Sequence, residues 1–120
     1  MKELSTELLN EITKRLAESI HPERIYLFGS HAAGNAEDDS DVDLLIVVPD
    51  TNQSRHDLAL KGRANMRDLI IPMDLIVCTH SEIEKWENVK CTLIYTVMRK
   101  GKLLYESEGR TGQRVAYTGR

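Results

Sequence analysis

Apolar residues at Leu4, Leu8, Ile12, Leu16 and Ile20 recur every four positions, with Leu9 beside them. That spacing puts them on one face of an amphipathic helix over residues 3–20. His21 precedes Pro22, and a residue before proline avoids helical geometry, so the helix is expected to stop there. Arg24–Phe28 (RIYLF) reads as a short first strand. Residues 29–40 hold two glycines, an asparagine and three acids, and read as a loop with room for one helical turn. From Asp41 to Val48 (DVDLLIVV) the pattern passes from alternation to an unbroken apolar run. A central strand buried on both faces has that pattern. Pro49–Asn52 reads as a turn.

Residues 53–69 read as a second long helix, with Leu58, Met66 and Leu69 on one side and Gly62 as a weak point. Ile70–Cys78 reads as a third strand, with Pro72 near its start, where proline is tolerated. Thr79 and Glu82 have the spacing of a capping box opening another helix. Val89, Leu93, Ile94, Val97 and Met98 mark a further helix. Arg99 and Lys100 in its last turn and Gly101 just beyond are the residues expected at a helix end. Leu103–Glu106 reads as a last short strand. From Ser107 onward periodicity is absent, and 107–120 reads as a flexible tail. The order α-β-β-α-β-α-α-(β) predicts an α/β (α+β) domain over residues 1–106, a mixed sheet flanked by helices.

Composition narrows the function. A chain of 120 residues fits one domain and can bury a core without disulfides or metals. A net charge of −3 and only 5% aromatic residues argue against clamping duplex phosphates or stacking unpaired bases, so no direct nucleic-acid binding is expected. The longest apolar run, Leu44–Val48, is far too short to cross a bilayer. The opening segment MKELSTELLNE reads against a signal peptide, so no membrane association is expected. Cys78 and Cys91 form no CxxC pair and have no activating neighbours. They read as reduced core thiols of a cytoplasmic protein.

Three features carry chemistry: Gly29-Ser30 directly after the first strand, Asp41-Val42-Asp43 at the start of the second, and Asp74 inside the third. Residues two apart on a strand share a face, with Cβ atoms roughly 6–7 Å apart. Two carboxylates so placed can lean around one divalent cation or share two. Unpaired carboxylates at buried strands are costly, so the three acids call for a shared cation, and hard oxygen ligands select Mg²⁺ or Mn²⁺ over zinc. A glycine after a strand lets backbone approach a ligand closely, and the Ser30 turn can form a small anion-binding nest. Phosphates beside such a cation site imply a nucleoside triphosphate. Taken singly, a Gly-Ser is an ordinary turn and an Asp-x-Asp an ordinary solvated edge. Together, Gly29-Ser30, ten residues, then Asp41-x-Asp43 would arise by chance about once in a thousand chains of this length. Two rival motifs fail. Gly29-x4-Gly34 is followed by Asn35-Ala36, where a P-loop needs Lys-Ser/Thr. Asp39-x-Asp41-x-Asp43 puts Leu44 where an EF-hand loop needs glycine.

The string Phe28-Gly29-Ser30-His31-Ala32-Ala33-Gly34 with Ser40-Asp41-Val42-Asp43-Leu44-Leu45 closely resembles the signature of DNA-polymerase-β-like nucleotidyltransferases. Chain size and the stretch Met98–Glu106 (MRKGKLLYE) resemble the minimal nucleotidyltransferase (MNT) proteins, over residues 3–106. The resemblance implies a palm-like mixed sheet. It implies that Asp41 and Asp43 bind two Mg²⁺ ions (or Mn²⁺), and that Asp74 is the third carboxylate, near the acceptor. It also implies that Gly29 and Ser30 hold the β- and γ-phosphates of ATP, with attack at the α-phosphate and loss of pyrophosphate. MNT proteins pair with HEPN-type toxins, and members act as antitoxins by moving AMP from ATP to a tyrosine of the toxin.

The alternative is a binding module that neutralises its partner by contact alone. Three costly acids favour the enzyme, since a module that only binds does not need them. His31 reads as an exposed loop residue, Arg63 and Arg67 as a solvated helix face, and Trp86 as partly buried packing. The metal- and phosphate-binding half uses essentially the whole ordered chain. The acceptor site is therefore expected from another chain, a second copy or a different protein.

Overall fold

The computed structural model describes residues 5–37, 40–107 and 114–116. Helix α1 (Thr6–Ile20) is capped by Ser5, whose hydroxyl accepts the Leu8 N–H. It ends at His21, which takes the left-handed C-cap conformation (φ 49°) just before Pro22. Strand β1 (Arg24–Phe28) and the single turn α2 (Ser30–Ala33) follow. Next come β2 (Val42–Val48), α3 (Arg55–Ala64), β3 (Met73–Thr79), α4 (His80–Trp86), α5 (Leu93–Lys100), β4 (Lys102–Ser107) and β5 (Arg114–Ala116). The sheet runs β3-β2-β1-β4-β5, with β2 and β3 parallel and the other pairs antiparallel.

The period-2 alternation of β2 sorts the core into two layers. Val42, Leu44, Ile46 and Val48 join Ile12, Leu16 and Ile20 of α1 and Leu58 of α3 on one face. Leu45 and Val47 join Cys78, Ile83 of α4 and Val97 of α5 on the other. The run read as a doubly buried strand is one, and the mixed sheet flanked by helices is as expected. The Thr79–Glu82 capping box opens α4.

Several boundaries differ from the sequence reading, each for a physical reason. The helix read over 53–69 starts after Ser54, which caps it by accepting the Asp57 N–H, and stops at Ala64. Met66 and Leu69 still pack on the core, but from tight turns (Met66 N–H to Arg63 O, Leu69 N–H to Met66 O), so their spacing imitates a helix. Arg15 holds those turns through the Asn65 carbonyl and the Asp68 carboxylate. Arg67 therefore lies beyond the helix that carries Arg63. The third strand begins at Met73, not Ile70. Pro72 lies outside the ladder and its carbonyl accepts the Val42 N–H, while Ile70 is 97% exposed. The helix read from Val89 starts at Leu93, because Thr92 caps it and Cys91 before it is left-handed (φ 76°). Cys91 is exposed, against the core reading, while Cys78 is buried and its thiol is pushed up to about 12 by burial. Of the segment read as a flexible tail, Ser107 ends β4 and Arg114–Ala116 pair with β4 as β5. The remainder lies outside the described residues, as do residues 1–4.

Gly62, read as a weak point, is a packing point: a Cβ there would stand 2.8 Å from Leu16 Cδ2. Truncating Leu16, which is fully buried, should cost about 3 kcal/mol. Adding Gly62→Ala should recover part of that loss, so the double variant should be more stable than Leu16→Ala alone in urea unfolding. A second prediction concerns His80, which meets Glu23 at 2.9 Å and Glu84 at 3.2 Å. Glu23 is the main cause that raises its pKa. A raised imidazole stabilises below the unfolded pKa and loses that contribution as pH rises through the folded one. His80→Gln should therefore lower Tm at pH 5.5 and leave it nearly unchanged at pH 9.

Candidate active site

The acids gather at one end of the sheet, where β1 finishes and β2 and β3 begin. Asp43 is directly in register with Asp74 on the parallel neighbour and with Phe28 on the antiparallel one. Adjacent strands lie about 4.8 Å apart, so the Asp43 and Asp74 side chains project side by side from one face. That face is the one carrying Leu45, Ile76 and Cys78. Asp41 precedes β2 by one residue, where the sequence reading had placed it inside the strand.

Burial is lighter than three acids at buried strands implied. Asp43 is half-buried, while Asp41 and Asp74 are exposed. Burial raises the Asp43 pKa first, and the charges of Asp74 and Asp41 raise it further, with His31 opposing. Asp43 thus feels both of its acidic neighbours.

Gly29 turns the chain out of β1 with φ 81°. A methyl group on it would displace the Asp43 carboxylate, and the positive φ is one that favours glycine. Ser30 opens α2 immediately afterwards. No side chain caps that turn, and its first N–H groups have no helical acceptor. The structure thus sets the Gly29-Ser30 turn against Asp43, which lies thirteen residues later in sequence. His31 departs from the exposed-loop reading. It is half-buried, and its Nε2 lies 3.2 Å from the Ser40 carbonyl. It ties α2 to the segment that presents Asp41, a role hidden from sequence because its partner is a backbone atom nine residues away. Arg63 and Arg67 are exposed, as read, and Trp86 is at the border of exposure with Lys85 over its ring at 5.1 Å.

Among the described residues, no group of three or more His, Cys, Asp or Glu side chains stands ready to hold a metal ion. The pair Asp43 and Asp74, with Asp41 beside it, nevertheless fits Mg²⁺ chemistry. Mg²⁺ keeps several waters and is held by one or two carboxylates together with substrate phosphates, not by a closed protein cage. Oxygen-only donors and mutual repulsion at Asp43 suit such an ion. Among the described residues, no helix is long and apolar enough to cross a membrane.

The profile of the family described as "Polymerase beta, Nucleotidyltransferase" matches residues 10–110. No curated protein matches the chain. Among solved structures, a candidate nucleotidyltransferase from Sulfolobus solfataricus is 26% identical, with a TM-score of 0.60 over 92% of this chain and 85% of that one. A toxin–antitoxin structure, MntA–HpeT with a double Asp-to-Glu change, is 25% identical (TM-score 0.59; 88% and 76% of the two chains). A toxin–antitoxin structure with AMP-PNP shares the fold at 23% identity (TM-score 0.54; 82% and 74%).

Replacing Asp43 by Asn removes one of three like charges. In metal-free buffer at pH 7 this should raise Tm, by an amount that solvent screening of the half-exposed carboxylate keeps small. Adding Mg²⁺ should raise Tm of the parent protein more than that of Asp43→Asn. An unchanged or lower Tm for the variant in metal-free buffer contradicts the assigned repulsion.

Proposed function

The chain belongs to the polymerase-β nucleotidyltransferase family, and from that premise we propose that it transfers AMP from ATP to a tyrosine hydroxyl of a HEPN-type toxin, acting as its antitoxin. Nucleotidyltransferase activity is the property of the family. The antitoxin role draws on the likeness to the MntA–HpeT toxin–antitoxin structure, in which an Asp pair two residues apart was changed. The observation that carries the catalytic reading is the in-register pairing of Asp43 with Asp74 beside the positive-φ turn at Gly29.

Asp41 and Asp43, with Asp74 as the third carboxylate on the acceptor side, would hold Mg²⁺, which would supply positive charge to the attacking and leaving oxygens of an in-line displacement. Asp74, on the edge strand and exposed, orients the acceptor side and favours loss of the tyrosine proton. Gly29 lets the backbone come close to the triphosphate. The Ser30 hydroxyl and the uncapped N–H groups of α2 receive the β- and γ-phosphate oxygens. The tyrosine oxygen attacks the α-phosphorus, the bond to the bridging oxygen breaks, and pyrophosphate leaves. The acceptor surface comes from the partner, and the pair works in the cytoplasm.

The test is to incubate the protein with labelled ATP, Mg²⁺ and the protein encoded beside it, with Asp41→Ala/Asp43→Ala as control. Label should appear on the partner and fall by about a hundredfold or more in the double variant. Partner inhibition that needs no ATP and survives the double substitution would replace the enzyme with a module that acts by contact alone.

A further inference from the structure

A groove of about 330 Å³ opens on the acid-bearing face of the sheet, between β2, β3 and the ends of α4 and α5. Leu45, Ile76, Cys78, Trp86, Leu93 and Ile94 line it. Leu45 lies two residues beyond Asp43, and Ile76 two beyond Asp74, so the floor begins one pleat, roughly 7 Å, from the carboxylates. That is about the span of a ribose between its 5′-phosphate and its base. Among the described residues, six large apolar side chains are exposed, and three of them, Trp86, Val89 and Leu93, stand around this opening or on the loop beside it. Exposed apolar surface concentrated in one place marks a binding surface.

The groove's remaining residue, Thr92, has no hydroxyl proton to offer a ligand, since its own carbonyl neighbours take it. Its Oγ1 lies 2.8 Å from the Val89 carbonyl and 3.2 Å from that of Trp86, and it accepts the Tyr95 N–H at 3.1 Å. The loop it closes is held by the left-handed Cys91, a non-glycine residue at φ 76°. Such conformations persist where surrounding structure fixes them.

We infer that this groove receives the nucleobase of the triphosphate, a flat purine ring held by apolar contact beside Trp86 and not by hydrogen bonds. The inference rests on the proposed nucleotidyl transfer and adds the base site to it. A pocket without polar groups aimed inward separates ligands by the area they bury, whereas rejection of a close analogue needs hydrogen bonds left unmade. The site therefore favours purines over pyrimidines and does not separate adenine from guanine.

Trp86 is the single tryptophan, so its fluorescence reports the groove directly. The full chain with Mg²⁺ is titrated with ATP, GTP, CTP and inorganic tripolyphosphate, with calorimetry alongside. ATP and GTP should shift Trp86 emission and bind within about threefold of each other, with CTP about tenfold weaker. Tripolyphosphate should release heat and leave the emission unchanged. Ile76→Gln, and the milder rim variant Leu93→Ser, should weaken ATP by about tenfold and leave tripolyphosphate unaffected. ATP binding that leaves the emission unchanged and ignores both variants overturns the base site while the phosphate-transfer reading stands. Preference for ATP over GTP by about a hundredfold also overturns it. So does an emission change produced by the partner protein without nucleotide, which would give the groove to that protein. Failure to bind either ATP or tripolyphosphate overturns both readings.

Discussion

Strand β2 is buried on both faces, and the rest of the molecule is arranged around that constraint. Its backbone groups must pair on both sides, which β1 and β3 provide. Its side chains must be covered on both faces, by α1 and α3 on one and α4 and α5 on the other. The burial is interrupted at one residue: Asp43, between the fully buried Val42 and Leu44, is half-buried with a raised pKa. The rigid part of the fold thus holds a charge it cannot neutralise by itself. Everything that approaches it, the Gly29 turn, Asp74 and His31, is set by the register of β2 with its neighbours.

The electrostatics follow from this geometry. Parallel pairing places Asp74 directly beside Asp43, and the His31 ring opposes the rise that burial, Asp74 and Asp41 cause at Asp43. His31 weakens the repulsion without removing it. Like charges whose backbones are fixed in a sheet cannot separate as far as they could on a loop. Placing the pair on β2 and β3 makes the strands' stability carry that strain, in exchange for a fixed position of the carboxylates.

Much of this was legible in the residues. The doubly buried strand, the first helix with its stop at His21, the capping box at Thr79 and the juxtaposition of Gly29 with the Asp-x-Asp strand all rest on short-range rules. What was not legible depended on distant partners. Met66 and Leu69 keep helical spacing because turns fixed by Arg15 return them to the core, and no local signal distinguishes that from a helix. Gly62 looks like a helix defect until α1 packs against it. His31 looks solvated until its ring meets the Ser40 carbonyl. Asp41 and Asp74 looked buried from their apolar neighbours, but Asp41 precedes the strand and β3 is the edge of the sheet.

The edge position of β3 bears on where an acceptor can come from. The sheet face that carries the acids is covered at one end by α4 and α5 and open at the other, where Asp41 and Asp74 are exposed. The Gly29-Ser30 turn and His31 reach that end beside Asp43 and leave Asp41 and Asp74 exposed. In-line transfer needs the acceptor oxygen opposite the leaving group and water held away from both, which an open face does not provide. A protein substrate could supply the acceptor and the cover in one step by docking over Asp74. If the transfer is as proposed, the partner is then a substrate and also the missing wall of the site. The two readings kept apart above, catalysis and neutralisation by contact, would use the same surface and differ only in whether the carboxylates of Asp41 and Asp43 are needed.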